Sequence, residues 1–422
     1  MCDALDQTSD DNSSSAVPMR RKAAVIVARR LDGMQSGSSQ YLKTYLSICR
    51  DAGLSTALVF APRRSFGNLP WARIHPEFAS LVDDIDWVGT VRVGQRYVST
   101  SPKVWGRFVW RAAMELGRRI VGRKHAPYPS MLGAELDHSE AMQTVARTQA
   151  AQPEVVTAEY SSLGPLLKEF PQCRRIVFLH DLFSMRAENF QSQGMQADHV
   201  VVSLQDEAER CRSADILIHA SRVEQKRLQE IMPAPRHIWM RPAVSANFPE
   251  VLRRSTPHAV FMGSIHAGNR KALSFLREEV WPAVREKIPD AKLHVVGSIA
   301  GTVDPLAADQ EGLELIGRVE DLSTIASVDA IGVAPMQFGS GIPIKVVDYL
   351  AIGLPVIVTS GAIDPFGDAL DGLVAVASSD EHFVDVIVDL LTDEAAREKM
   401  VGQARNVTDR LKNVSLLDAL KV

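Results

Sequence analysis

The chain has four cysteines in 422 residues, Cys2, Cys49, Cys173 and Cys211, and no two of them form a Cys-x-x-Cys pair. That scatter argues against a disulfide framework and a thiolate zinc site. It reads as reduced thiols in a cytoplasmic protein. Long apolar runs are missing too. No segment approaches the ~18 consecutive apolar residues that cross a bilayer. A secretory leader is not apparent, because the N-terminus is acidic and serine-rich before its basic cluster at Arg20–Lys22. Residues 1–20 are therefore expected to form a disordered tail. An excess of basic charge is also absent. A formal net charge of -4 argues against a general nucleic-acid binder.

What is present is the composition of an ordinary globular protein, 46% apolar and 23% charged. The length allows two domains with substantial cores. Two halves each alternate strands with helices, which implies mainly parallel sheets. In the first half, strands are expected at Ala23–Ala28, Leu54–Phe60, Asp86–Val91 (the weakest), Val155–Glu159, Arg175–Leu179 and Ile216–Ala220. A helix follows the glycine-containing loop at Gly33–Gln40, near Ser39–Arg50. Ser221 and Glu224 have the spacing of a capping box. A proline- and charge-rich stretch, Pro242–Pro257, marks a linker. The second half restarts at Ala259–Gly263, with strands expected at Lys292–Gly297, Leu313–Gly317, Ala330–Ala334, Val356–Thr359 and Leu373–Val376. Helices are expected near Lys271–Lys287, Glu381–Leu391 and Glu394–Val407.

Phe338–Ser360 is the most informative stretch, reading FGSGIPIKVVDYLAIGLPVIVTS. Gly339, Ser340 and Gly341 precede Pro343, which suits a first helical turn. Ile344–Ile352 has helical spacing, and Gly353 and Pro355 stop it. A glycine loop feeding a helix start is an anion site, because free amides and the helix dipole both face the loop. Lys345 and Asp348 share a face of that helix. An amine near a phosphate and a carboxylate near a sugar diol suit a nucleotide.

This string resembles the donor-binding signature of the retaining glycosyltransferases of family 4 (group 1), which have the GT-B fold. It matches as Gly339-Ser340-Gly341, Lys345, Asp348 and Gly353-Leu354-Pro355-Val356. Asp348 stands where the family has Glu. The more widespread family pattern has an earlier glutamate, which falls on Ser340 here. The resemblance implies an α/β chain with two Rossmann-like domains facing a cleft: an acceptor-side domain at 21–245, a donor domain at 246–407, and a segment at 408–422 returning to the first domain.

The implied activity moves a sugar from a nucleotide diphosphate sugar to an acceptor hydroxyl, with retention, as a hexosyl- or related glycosyltransferase in polysaccharide or glycolipid synthesis. By resemblance, His180 contacts the donor sugar or reaction centre. Arg270 and Lys345 offset the diphosphate's charge, with Asn269 beside Arg270 as in a family variant. Gly37, Ser38, Ser264, Gly339, Ser340, Gly341, Ile342 and Asp348 line the donor site. Asp181 is an alternative base, which would permit inversion. No cofactor or metal is expected. The acidic run Val82–Asp86 lies outside the donor domain and reads as an exposed turn entering a strand. Two other classes fit the residues: a nucleotide-sugar epimerase of the same fold, and a non-catalytic nucleotide-sugar binder, which the serine at 340 suggests.

Lys103–Lys124 is basic and amphipathic. Trp105, Phe108, Val109, Ala112, Leu116 and Ile120 fall on one face, with Arg107, Arg111 and Arg118 opposite. Such a helix suits an anionic membrane surface, which would make the protein peripheral on the inner face of the plasma membrane. The alternative is a surface helix packing its apolar face on the first-domain sheet.

Overall fold

The computed structural model describes residues 20–34, 36–120, 129–192, 194–243, 256–336, 342–405 and 411–421. In the first half, apolar runs form β1 (Lys22–Val27), β2 (Ser55–Phe60), β4 (Asp84–Asp86), β7 (Val155–Glu159), β8 (Arg174–Leu179), β9 (Ile216–His219) and β10 (Arg236–Trp239). Between them lie three short strands, β3 (Trp71–Ala72), β5 (Thr90–Val93) and β6 (Arg96–Ser99). The main sheet has the order β10-β9-β8-β7-β1-β2-β4, with every pair parallel. The second half builds a six-stranded parallel sheet from β11 (His258–Met262), β12 (Lys292–Val296), β13 (Leu313–Gly317), β14 (Ala330–Ala334), β15 (Val356–Thr359) and β16 (Ala375–Ala377). Its order is β13-β12-β11-β14-β15-β16.

Central strands such as β1, β7 and β11 are buried along almost their whole length, as sheets covered on both faces require. Strand order reverses between β1 and β7 in the first sheet and between β11 and β14 in the second. Those two points are where a sheet of this kind leaves a crevice beyond its carboxyl ends.

Helix starts follow local chemistry. Ser36 caps the helix Gly37–Asp51, its hydroxyl accepting from the Ser39 amide at 3.2 Å. The helix therefore begins two residues ahead of the expected Ser39, inside the loop assigned to Gly33–Gln40. Ser221 caps Arg222–Ile231 as its spacing predicts. The Glu224 carboxylate accepts from the Leu182 amide at 3.1 Å, which ties this helix to the chain beyond β8. The helix expected near Lys271–Lys287 starts earlier, at Ala267, because the His266 imidazole accepts from the Gly268 amide. It continues through a π turn at Leu276–Val280 into Trp281–Lys287.

The expected strand Asp86–Val91 is divided. Asp84–Asp86 pairs with β2, whereas Thr90–Val93 belongs to the antiparallel sheet β3-β6-β5. Trp87 separates them, stacked between Phe60 at 4.4 Å and Tyr97 at 5.5 Å. The packing of one buried ring interrupts a run that propensity alone would extend.

The basic amphipathic segment is helical over Pro102–Ile120; residues 121–124 lie outside the described ones. Its N-terminal half is tied to the domain, and Arg111 donates to the Asn68 side-chain oxygen. Val104 is buried, the Trp105 indole donates to the Ser99 carbonyl, and Phe108 packs edge-on to Trp71. Val109, Leu116 and Ile120 are 61%, 62% and 78% exposed, so the alternative of an apolar face packed on the sheet does not hold. No described helix is long and apolar enough to cross a membrane.

The last helix, Val414–Lys421, packs on Gly37–Asp51 and adds Leu416, Ala419 and Leu420 to the first-domain core. Arg21 and Arg174 donate to carbonyls of that helix, at Leu420 and Ala419.

Candidate active site

The carboxyl ends of both sheets open onto one cavity of about 430 Å³, walled by residues from the two halves. The first domain contributes Gly37, Ser38, Tyr160, His180, Asp181 and Arg186. The second contributes Ser264, His266, Asn269, Ile342 and Lys345. Sequence-predicted residues from distant segments thus share one enclosure: Gly37, Ser38, His180, Asp181, Ser264, Ile342 and Lys345. Gly339, Ser340 and Gly341 lie outside the described residues.

Lys345 stands in the first turn of the helix Ile344–Ala351. Its amine donates to Asn269 Oδ1 at 2.8 Å and lies 4.4 Å from the centre of the Phe261 ring. Asn269 in turn donates to the Ser264 carbonyl at 3.0 Å, which fixes its amide orientation. Burial pulls the Lys345 amine down to about 7. Among the described residues no carboxylate pairs with it. Gly353 ends the helix in the left-handed conformation, with φ of 74°.

Two expected donor-site residues are placed elsewhere. Arg270 follows Asn269 on the helix Ala267–Phe275. The turn that aims Asn269 at Lys345 sends Arg270 to solvent, and it does not line the cavity. Asp348 is half-buried behind the wall and does not line the cavity either. Burial pushes its carboxyl up to about 6.

On the first-domain side, charges are paired. His180 follows β8 directly and is 6% exposed. Its Nε2 lies 2.8 Å from Glu159 Oε1, and Glu159 accepts from Arg29 Nη2, also at 2.8 Å. Burial lowers the pKa of the His180 imidazole, which favours the neutral form, although Glu159 opposes that. Asp181 is bonded to Arg186 at 3.1 Å. Arg186 also holds Asp198 at 2.7 Å and reaches His266 Nε2 of the second domain at 3.1 Å.

Arg29, Glu159, Arg186 and His266 were not legible as site residues. Glu159 and Arg29 are each the first charge after an apolar run, a signal that acquires meaning only when strand order is known. The domains also touch at Gly37, where a β-carbon would lie 3.1 Å from the Ile344 side chain, so glycine permits this approach. Among the described residues no cluster of His, Cys, Asp and Glu could hold a metal ion.

Comparison with known proteins agrees with this arrangement. Residues 256–393 match the family model described as Glycosyl transferases group 1. No curated protein matches the chain in sequence. Among solved structures, the sucrose-phosphate synthase of Thermosynechococcus elongatus is similar at 14% identity. The match covers 95% of this chain and 97% of that one, with a TM-score of 0.57. The pneumococcal O-GlcNAc transferase GtfA, solved with UDP and GlcNAc, is similar at 11% identity, covering 95% and 98%, with a TM-score of 0.60. An S. aureus TarM mutant bound to Fondaparinux, alpha-GlcNAc-glycerol and UDP is similar at 11% identity, with coverage of 95% and 98% and a TM-score of 0.63. These identities speak for the fold.

Proposed function

We propose, from the premise that this chain has the GT-B fold and a group 1 glycosyltransferase domain at its rear, that it transfers a sugar from a nucleotide diphosphate sugar to an acceptor hydroxyl. The observation that carries this reading is Lys345: an amine held at the cavity wall by a neutral amide and a ring, with no described carboxylate to neutralise it. A diphosphate is the complementary ligand. As the glycosidic bond breaks, negative charge grows on the leaving diphosphate, and an enclosed cation stabilises that charge more than the ground state. Gly339–Gly341 and Ile342 supply backbone amides to the same group in this reading, and Gly37 and Ser38 approach it from the opposite domain. His180 meets the donor sugar. No metal is required, so chelator leaves the rate unchanged.

Retention is part of the proposal, with the departing phosphate accepting the acceptor's proton. Asp181 is tied to Arg186, which favours a carboxylate engaged in structure over a free base. A panel of nucleotide sugars tested by thermal shift identifies the donor, because a ligand bound only to the folded chain raises its melting temperature. NMR of the product then gives the anomeric outcome. If no nucleotide sugar shifts the melt or is consumed, the reading fails.

A membrane-facing acceptor, as in glycolipid or polysaccharide synthesis, is supported by one observation. The helix Pro102–Ile120 leaves Val109, Trp110, Leu116 and Ile120 exposed beside Lys103 and Arg107. Flotation with anionic but not neutral vesicles is the expected result. Equal flotation with both, or with neither, removes this part of the proposal.

A further inference from the structure

Arg29, Glu159 and His180 come from three separate chain segments. In the sheet, β1, β7 and β8 are adjacent, so their carboxyl ends lie side by side at the point where strand order reverses. Arg29 follows β1, Glu159 ends β7 and His180 follows β8. Glu159 is fully buried and Arg29 is 9% exposed. Arg29 Nε lies 3.2 and 3.1 Å from the two Glu159 oxygens, and Nη2 lies 2.8 Å from Oε1. The same guanidinium donates to the Ser38 carbonyl at 3.2 Å and to the Ser39 hydroxyl at 3.3 Å. It therefore joins the first turn of the helix Gly37–Asp51 to Glu159, and through Glu159 to His180.

Two further observations mark this point. Tyr160, directly after Glu159, has φ of 65°, a conformation that a bulky residue adopts only when its surroundings enforce it. Its ring lies 4.8 Å from that of His180. His180 Nδ1 is buried and has no hydrogen-bond partner, although the residue lines the cavity. A buried polar atom without a partner is costly, and one at a ligand cavity is where a ligand group belongs. Glu159 can only accept when ionised. Burial alone would raise its carboxyl, but Arg29 and His180 together hold it below its ordinary value. The proton between the pair therefore belongs to Nε2, which leaves Nδ1 with its lone pair.

We propose that Glu159, locked by Arg29, is the positioning residue of this pocket: it fixes His180 as the Nε2–H tautomer, so that Nδ1 accepts a hydrogen bond from a hydroxyl of the bound sugar. The identity of that ligand rests on the transferase reading; the tautomer does not. Arg29 gives the device its second function, because the Ser38 wall and the imidazole are indexed to the same guanidinium. A sugar seated between them meets two surfaces whose spacing is set by one buried ion pair.

The test is nitrogen NMR of the full chain labelled at histidine, with His180 assigned through His180→Asn. The expected signature in the unsubstituted protein at pH 8 is a protonated Nε2 and an unprotonated Nδ1. Glu159→Gln is expected to give a mixture of tautomers and to lower kcat/KM for the donor by about tenfold or more. A protonated Nδ1 in the unsubstituted protein overturns the proposal, even if Glu159→Gln does not fold. So does an unchanged signature or an unchanged kcat/KM in a folded Glu159→Gln protein. If the tautomer is as expected but no nucleotide sugar is ever consumed, the transferase reading fails and the positioning geometry stands.

Discussion

The two walls of the cavity handle charge in opposite ways. On the first-domain side every ion has a partner: Arg29 with Glu159, and Arg186 with Asp181 and Asp198. That wall is ion-paired, with three carboxylates sharing two guanidinium groups. On the second-domain side, among the described residues, Lys345 meets the Asn269 amide, the Met336 sulfur and the Phe261 ring and no carboxylate. The second wall holds a desolvated amine, and an anion bound beside it relieves that cost. Under the proposed function, orientation and charge stabilisation would fall to different domains.

The largest expected effect tests the ion-paired wall. Glu159→Ala strands Arg29 as a buried lone cation and should cost about 3–5 kcal/mol of stability, read as a fall in denaturation midpoint. Lys345→Met should show no such loss, because replacing an unneutralised buried amine by an apolar chain removes a desolvation penalty. Similar losses in both variants would erase the contrast between the walls.

Activity should report the reverse asymmetry. Lys345→Ala should lower kcat for the productive nucleotide sugar by about 10²-fold, as for loss of a single charge-stabilising donor. A change below threefold, measured at saturating donor, would take Lys345 out of the reaction.

A smaller, pH-dependent effect follows from the position of the amine near 7. Bound diphosphate favours the protonated amine, so binding takes up a proton and affinity falls as pH rises above about 7, by up to about tenfold per pH unit. Calorimetry in buffers of different ionisation enthalpy measures the uptake. The stability contribution has the opposite slope. The unfolded chain binds more protons between about 7 and 10.5, so this group makes the fold more stable as pH rises through that window. Lys345→Met should abolish both slopes.

The smallest effect concerns Arg270. Its exposure predicts that Arg270→Ala changes turnover by less than about twofold. A larger loss would mean that the donor reaches beyond the cavity rim.

How far these walls were legible in the sequence follows from what each one is made of. Part of the second wall is local: Ile342 and Lys345 lie in one contiguous string that a motif reading could find, whereas Asn269 and Phe261 reach Lys345 from the start of the domain. Asp348 in that string and Arg270 on the earlier helix do not line the cavity, because a helical face says which side chains are neighbours and not which of them meets a cavity. The first wall is assembled from residues 29, 159 and 180, and only the neighbour relations of β1, β7 and β8 unite them. His180 was accessible because it ends a strongly apolar strand. Glu159 ends an equally apolar strand, yet nothing in VVTAE distinguishes a functional acid from a strand-terminating one. Sheet elements were legible where runs are fully buried, as at Val155–Glu159 and Ala330–Ala334, whose expected and observed bounds coincide. They were not where a single ring decides, as at Trp87.

The return of Val414–Lys421 to the first domain makes the second domain an insertion rather than an appendage. The first domain is finished only after the whole second domain has been laid down. A chain cut anywhere after the second sheet would lose no residue of that sheet, yet it would leave the sites of Leu416, Ala419 and Leu420 open beneath the helix Gly37–Asp51. Damage at the very end of the polypeptide should therefore be felt first near its beginning, on the helix whose opening turn carries Gly37 and Ser38.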